Sequence, residues 1–175
     1  MIVDNQTNFL FLADSLPKKY EIFYRELEGL LHAQHVDFAL LPNTKDIWAV
    51  DFMPIQTSLN RFVRFKYNPS YLKGKKDQES ISDTDKICEE IEFETEKSSI
   101  LLDGGNVIKC KDKVIMTDRV FSENPEFEPS NLIGKLKELL QVDNLIIIPR
   151  QPGDFTGHAD GMVRFFDNKT LIIND

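Results

Sequence analysis

His158 and Asp160 stand two residues apart in the segment Asp154-Phe-Thr-Gly-His-Ala-Asp-Gly161, and these residue types at this spacing could do chemistry. In an extended chain both side chains point to one face. An imidazole beside a carboxylate can act as a general acid/base next to an anion that holds the substrate. The same two groups can be half of a metal site, or a buried structural pair. Gly157 and Gly161 flank them, and glycine inside a strand often marks the close approach of a ligand or of backbone.

Two earlier segments offer complementary groups. Trp48-Ala-Val-Asp51 combines an indole with a carboxylate. Together they suit a guanidinium, which has five donors in a rigid fork and a flat face that stacks on aromatic rings. Carboxylates accept that fork through paired hydrogen bonds. Asp103-Gly-Gly-Asn106 sets two consecutive glycines directly after an apolar run, where they permit backbone angles closed to other residues. Each segment also has a structural reading: Trp48 in the core, Asp51 as a turn acid, and Gly104-Gly105 as a simple turn.

The elements around these segments are short. Apolar runs predict strands at Phe9 to Ala13, Val36 to Leu41, Asn60 to Tyr67, Ser99 to Leu102, Leu145 to Ile148 and within Gly157 to Phe166. Thr170 to Asn174 predicts one more. Val107 to Cys110 and Val114 to Thr117 read as a hairpin across Lys111-Asp-Lys113. Tyr20, Phe23, Leu27, Leu30 and Leu31 recur at helical spacing, which predicts a helix from about Ser15 with one packed face. Thr84 to Phe93 and a segment starting at Pro129-Ser130 are further helices. Lys73 to Asp85 reads as an exposed, charge-rich loop. The alternation of strands and helices without an identical repeat supports a mixed α/β domain.

Composition narrows the function. With 41% hydrophobic and 29% charged residues over 175 positions, the chain is a single globular domain with a real core. A formal net charge of -8 argues against nucleic acid or an anionic membrane as partner and suits a cationic ligand. Two cysteines, Cys88 and Cys110, cannot build a disulfide framework. No basic N-terminal region precedes the short apolar run at Phe9, so a cytoplasmic location is the expectation.

In this order, Trp-x-x-Asp, Asp-Gly-Gly-Asn and Gly-His-x-Asp-Gly resemble the agmatine deiminase and bacterial peptidylarginine deiminase family, from about Asp46 to the last residue. That resemblance implies a pentein-type α/β propeller of strand–helix modules with mixed sheets, present here as an incomplete domain over residues 1–175. It implies hydrolytic deimination of a small cationic guanidino substrate, agmatine, arginine or a peptide arginine, through a cysteine thiouronium intermediate and without metal or organic cofactor. Asp51 and Asp160 would grip the guanidinium, and His158 would shuttle protons. Trp48, Asp103, Asn106 and Asp154 would line or touch the substrate.

The sequence departs from the pattern in three ways. It holds no cysteine at the family's catalytic position, so the chain alone is expected to be inactive. Val50 replaces an arginine, and Asp103 a glutamate. A non-catalytic guanidinium-binding remnant, or a related amidinotransferase or dihydrolase, are the alternatives. A metal-dependent hydrolase on His158 and Asp160 is a further one, with only His32 and His35 left as other histidines. Apolar strand edges left open by an unfinished propeller predict a homo-oligomer.

Overall fold

The computed structural model describes residues 1–3 and 6–174. Its organising unit is an antiparallel hairpin followed by a helix that crosses over to a third, parallel strand. The first complete unit has β3 (Ile55–Ser58), β4 (Arg61–Lys66), a short α4 (Lys75–Glu79), α5 (Thr84–Glu90) and β5 (Glu96–Leu101). The second has β6 (Ile108–Cys110), β7 (Lys113–Thr117), α6 (Arg119–Glu123), α7 (Pro129–Leu140) and β8 (Asn144–Ile148). In each, the middle strand pairs antiparallel with the first and parallel with the third.

Part of a unit stands on either side. Ahead of these two, β1 (Leu10–Ala13) and β2 (Phe38–Leu41) pair in parallel across α1 (Ser15–Lys19) and α2 (Glu21–Ala33). Behind them, β9 (Val163–Phe165) and β10 (Leu171–Ile173) form an antiparallel hairpin. These mixed sheets are the modules of a pentein-type α/β propeller. Among the described residues no helix is long and apolar enough to cross a membrane.

Local chemistry explains the elements. In α7, Pro129 occupies the first turn and the Glu128 carboxylate accepts from the Asn131 amide, while Gln141 ends the helix in the left-handed region. Leu132, Leu136 and Leu140, four apart, are fully buried. They complete a core with Val63, Ile100, Val114 and Met116 that joins the two complete units. Smaller clusters fix the neighbours: Leu41, Phe52 and Ile87 on one side, and Ile108, Ile115 and Ala159 on the other.

Three expectations need correction, and one stretch that carried none gains an element. The first helix breaks at Tyr20, and its expected packed face is mostly open: Phe23 and Leu30 are exposed and only Leu31 is buried. The charged stretch after Lys73 contains α4, closed by the Asp77 carboxylate accepting from the Gly74 amide. Between Asp46 and Ile55 the chain forms a one-turn helix, α3 (Ala49–Phe52). Asp160 lies in a turn and His158 just ahead of it, since Met162 and Val163 both donate backbone hydrogen bonds to the Ala159 carbonyl. Ala159 itself is driven into the core, which turns its two neighbours outward toward the site.

Candidate active site

The three chemically suggestive segments occupy equivalent places in the fold. Each connects the last strand of one unit to the first strand of the next: α3 between β2 and β3, a 3-10 turn (Gly104–Asn106) between β5 and β6, and the loop holding His158 and Asp160 between β8 and β9. The repeat therefore brings them together, although up to about a hundred residues separate them in sequence.

They meet at Gly105. Its amide donates to Asp51 Oδ1 at 2.9 Å, and its carbonyl accepts from the Asp160 amide at 3.1 Å. A methyl group on Gly105 would lie 2.6 Å from Asp51 Oδ1, 2.7 Å from His158 Nδ1 and 2.9 Å from Asp160 Oδ2. All three distances are shorter than a carbon–heteroatom contact allows, so glycine is needed for the polar groups to converge. Gly104 is tighter still. Its added carbon would stand 1.9 Å from the Val50 carbonyl oxygen, because the turn lies directly against α3.

His158 is buried between carboxylates on two sides. Its Nε2 donates to Asp103 Oδ2 at 2.8 Å, and its Nδ1 faces Asp51 Oδ1 at 3.6 Å. Burial pulls the imidazole's proton affinity down, but the Asp103 hydrogen bond and the charges of Asp51, Asp103 and Asp160 outweigh it, and the pKa rises. For Asp51 burial dominates. Desolvation carries its pKa up from 3.8 to about 6, against the pull of His158 and the Gly105 amide. A carboxylate that titrates near neutrality beside a histidine that holds its proton is a pair suited to proton transfer.

The remaining candidates fall in two groups. Asp103 is the imidazole's partner. Asn106, fully buried, accepts from the Thr117 amide at 2.9 Å and hydroxyl at 3.1 Å, and that hydroxyl donates to the Gly157 carbonyl at 2.6 Å. Asn106 thereby ties the 3-10 turn to β7 and to the histidine loop. Gly157 takes a φ of 62°, a left-handed angle that glycine accepts without strain. Asp154 shapes the same loop, its carboxylate accepting from the Thr156 amide and hydroxyl at 2.9 Å each. Trp48 precedes α3 with its indole 59% exposed, and is not among the residues lining the cleft.

A cleft of about 970 Å³ opens over the cluster, bounded by Val50, Met53, Gly104, Gly105, Asp160 and Phe165. Its wall is largely apolar, and Asp160 lines it beside Lys109 and Arg164. Neither cysteine borders it. Cys88 is buried on α5, and Cys110 Sγ faces the Asp167 carbonyl. Among the described residues no three His, Cys, Asp or Glu side chains are grouped as metal ligands. Sequence reading missed Tyr71, whose hydroxyl donates to Asp103 Oδ2 at 3.0 Å. No motif surrounds it, and only folding brings it to the site.

The raised pKa values of Asp51 and His158 have a consequence for stability. Between pH 3.8 and about 6 the folded state binds more protons at Asp51 than the unfolded chain does, so stability falls as pH rises through that window. His158, raised above 6.5, extends the fall upward. Asp51→Asn removes the buried charge and keeps an acceptor for the Gly105 amide. It is expected to stabilise the fold at pH 7.5 by up to roughly 3 kcal/mol, since each tenfold change in proton affinity is worth about 1.4 kcal/mol. It should change nothing near pH 3. Urea unfolding of both proteins at several pH values measures this, and a variant less stable than the parent at pH 7.5 contradicts the assignment.

This arrangement of repeats and connections defines a pentein-type α/β propeller fold, and comparison with known proteins agrees. The sequence matches the Porphyromonas-type peptidyl-arginine deiminase family over residues 7–175, and the chain belongs to that family. It is similar in structure to the agmatine deiminase of C. jejuni, with a TM-score of 0.67 and 19% identity over 94% of this chain and 60% of that one. The agmatine deiminase of Enterococcus faecalis gives 0.64 and 16%, over 94% and 56%. A dimethylarginine dimethylaminohydrolase from Pseudomonas aeruginosa gives 0.57 and 12%, over 95% and 69%. The chain thus spans about 60% of the length of the agmatine deiminases it resembles. No curated protein sequence matches it.

Proposed function

We propose that this chain supplies the guanidinium grip and the proton-handling groups of a cytoplasmic hydrolase that deiminates a guanidino compound. Agmatine would yield N-carbamoylputrescine, and arginine would yield citrulline. The observation that carries the reading is the convergence of Asp51, His158 and Asp160 on Gly105, with Gly105 and Asp160 lining the adjacent cleft. Two carboxylates brought close together suit the donor fork of a planar cation. The C. jejuni agmatine deiminase, solved with substrate bound, has this fold.

The chemistry divides between this chain and a nucleophile outside the described residues. A cysteine thiolate attacks the guanidinium carbon while Asp51 and Asp160 hold its nitrogens. His158, its charge sustained by Asp103, gives a proton to the departing ammonia. It then takes one from the water that hydrolyses the thiouronium. Asn106 and Asp154 act by holding the connecting segments in register, and Trp48 stands at the exposed rim.

The cysteine positions predict that the 175-residue chain alone forms no product from agmatine or arginine. Joined to the C-terminal repeats of a family member, cysteine included, it should turn over one of them. Product formed by the chain alone and lost on Cys110→Ala would relocate the nucleophile. Agmatine binding by the joined chain without turnover would favour a guanidinium-binding protein with no catalysis, and absence of binding as well would reject the guanidino reading.

A further inference from the structure

Tyr71 belongs to none of the three site segments, lying in the connection between β4 and α4, yet it reaches the centre of the site. Its hydroxyl and His158 Nε2 both donate to one oxygen, Asp103 Oδ2, at 3.0 and 2.8 Å. Its ring meets the imidazole edge to face at a centroid distance of 6.0 Å. The phenol is therefore a second donor on the carboxylate that sustains the imidazolium.

The ring is held from three sides. The Arg119 guanidinium lies 4.9 Å from its centroid, and Phe155 packs against it edge to face at 5.5 Å. The backbone on its N-terminal side is clamped as well: the Ser70 amide and hydroxyl both donate to the Glu123 carboxylate, at 3.1 and 2.6 Å. Arg119 bridges the same two residues, donating to Ser70 Oγ at 3.1 Å and Glu123 Oε1 at 2.7 Å. Arg119 and Glu123 both come from α6. A buried ion pair on one unit thus fixes a loop of the preceding unit, and that loop presents a single hydroxyl to Asp103.

We propose that Tyr71 is a positioning residue for the Asp103–His158 pair, its hydroxyl taking up part of the Asp103 charge and so setting how firmly His158 keeps its proton. This rests on the reading of His158 as the proton carrier. Two donors on one carboxylate oxygen compete: what the phenol satisfies is withdrawn from the imidazolium. The other groups facing His158 are Asp51 from α3 and Asp160 and Asp154 from its own loop. Arg119 and Glu123 approach from α6 behind Asp103, and Tyr67 lies near Asp103 from the end of β4. None of these except Tyr71 donates to Asp103 Oδ2 alongside the imidazole.

The test is an NMR titration of the His158 imidazole in the 175-residue chain. Only three histidines are present, so His158→Gln assigns the signal, and His32 and His35, at the end of the first helical segment, serve as internal references. Tyr71→Phe keeps the ring and its contacts with His158, Phe155 and Arg119 and deletes only the donor. The His158 midpoint is expected to rise by about half a pH unit or more, with His32 and His35 unmoved. Ser70→Ala loosens the clamp without touching the site and should move the midpoint in the same direction by less. If Tyr71→Phe does not fold, Ser70→Ala decides by itself. An unchanged or lowered His158 midpoint in the folded variant overturns the proposal, since a space-filling tyrosine would leave the titration where it was. The readout needs no substrate, so a failure of the deiminase reading would show in turnover assays and leave this result standing.

Discussion

Gly104→Ala is expected to cost the fold about 3 kcal/mol or more, a large share of the stability of a domain this size. The added carbon would meet the Val50 carbonyl oxygen at 1.9 Å and the carbonyl carbon at 2.9 Å. Both are backbone atoms at the start of α3, so no side-chain rotation relieves the overlap. The 3-10 turn or α3 must move, and each stands beside a carboxylate of the site. Gly105→Ala should behave differently. Its added carbon meets only side-chain atoms, of Asp51, His158 and Asp160, which can swing away at a smaller cost of roughly 1–2 kcal/mol while the polar cluster disperses. Urea denaturation ranks the two, and NMR of the His158 imidazole reports the dispersal. A Gly104→Ala protein as stable as the parent, or a Gly105→Ala protein with an unperturbed imidazole, would mean that the connecting segments do not pack as described.

The second large effect concerns binding against turnover in the chain joined to C-terminal repeats with their cysteine. Asp51→Asn and Asp160→Asn are each expected to weaken agmatine binding about tenfold or more, because each loses a charge-assisted hydrogen bond worth roughly 1.5–3 kcal/mol. His158→Ala should leave affinity within a few-fold and lower kcat by about two to four orders of magnitude, the range for loss of a positioned acid/base. The exposed Asp160 and the half-buried Asp51 should also differ in salt dependence: screening reaches the first more than the second. Calorimetric titration and product assays on the three variants separate these roles. Undiminished agmatine affinity in both aspartate variants would sink the guanidinium grip. A loss of affinity in His158→Ala as large as in the aspartate variants would place the imidazole on the substrate instead.

Asp51→Asn links the two results. The change expected to stabilise the fold at neutral pH is the one expected to weaken ligand binding. The site holds a desolvated carboxylate that His158 and the Gly105 amide only partly offset. That trade is a usual mark of a functional site.

Much of the architecture was legible in the sequence. Leu132, Leu136 and Leu140 at four-residue spacing after Glu128-Pro129 announce α7 and its buried face, since helix period and capping are local properties. The hairpin across Lys111-Asp-Lys113 follows from two short apolar runs meeting at a polar turn. The three segments that carry the site were visible as residue types. Their chemistry is local too: a carboxylate, an imidazole and a pair of glycines remain what they are in any fold.

What tertiary structure alone decided is how those groups meet. The His-x-Asp pair would share a face in an extended chain, but here the chain turns from Ala159 on, with Ala159 packed in the core beside β6, β7 and β9. Asp103 hydrogen-bonds the imidazole, and Asn106 ties the 3-10 turn to β7, partners that the motifs did not name. The first helix looked packed on one side and is largely bare there, because periodicity records which face is apolar without saying what covers it. Tyr71 gave no signal at all. Its hydroxyl reaches Asp103 only because an Arg119–Glu123 pair on the next unit clamps Ser70 beside it. Contacts of this kind join residues far apart in the chain, and no local pattern encodes them. The residues and their chemistry are written in the sequence, whereas the distances between them come from the repeat that stacks one connection beside the next.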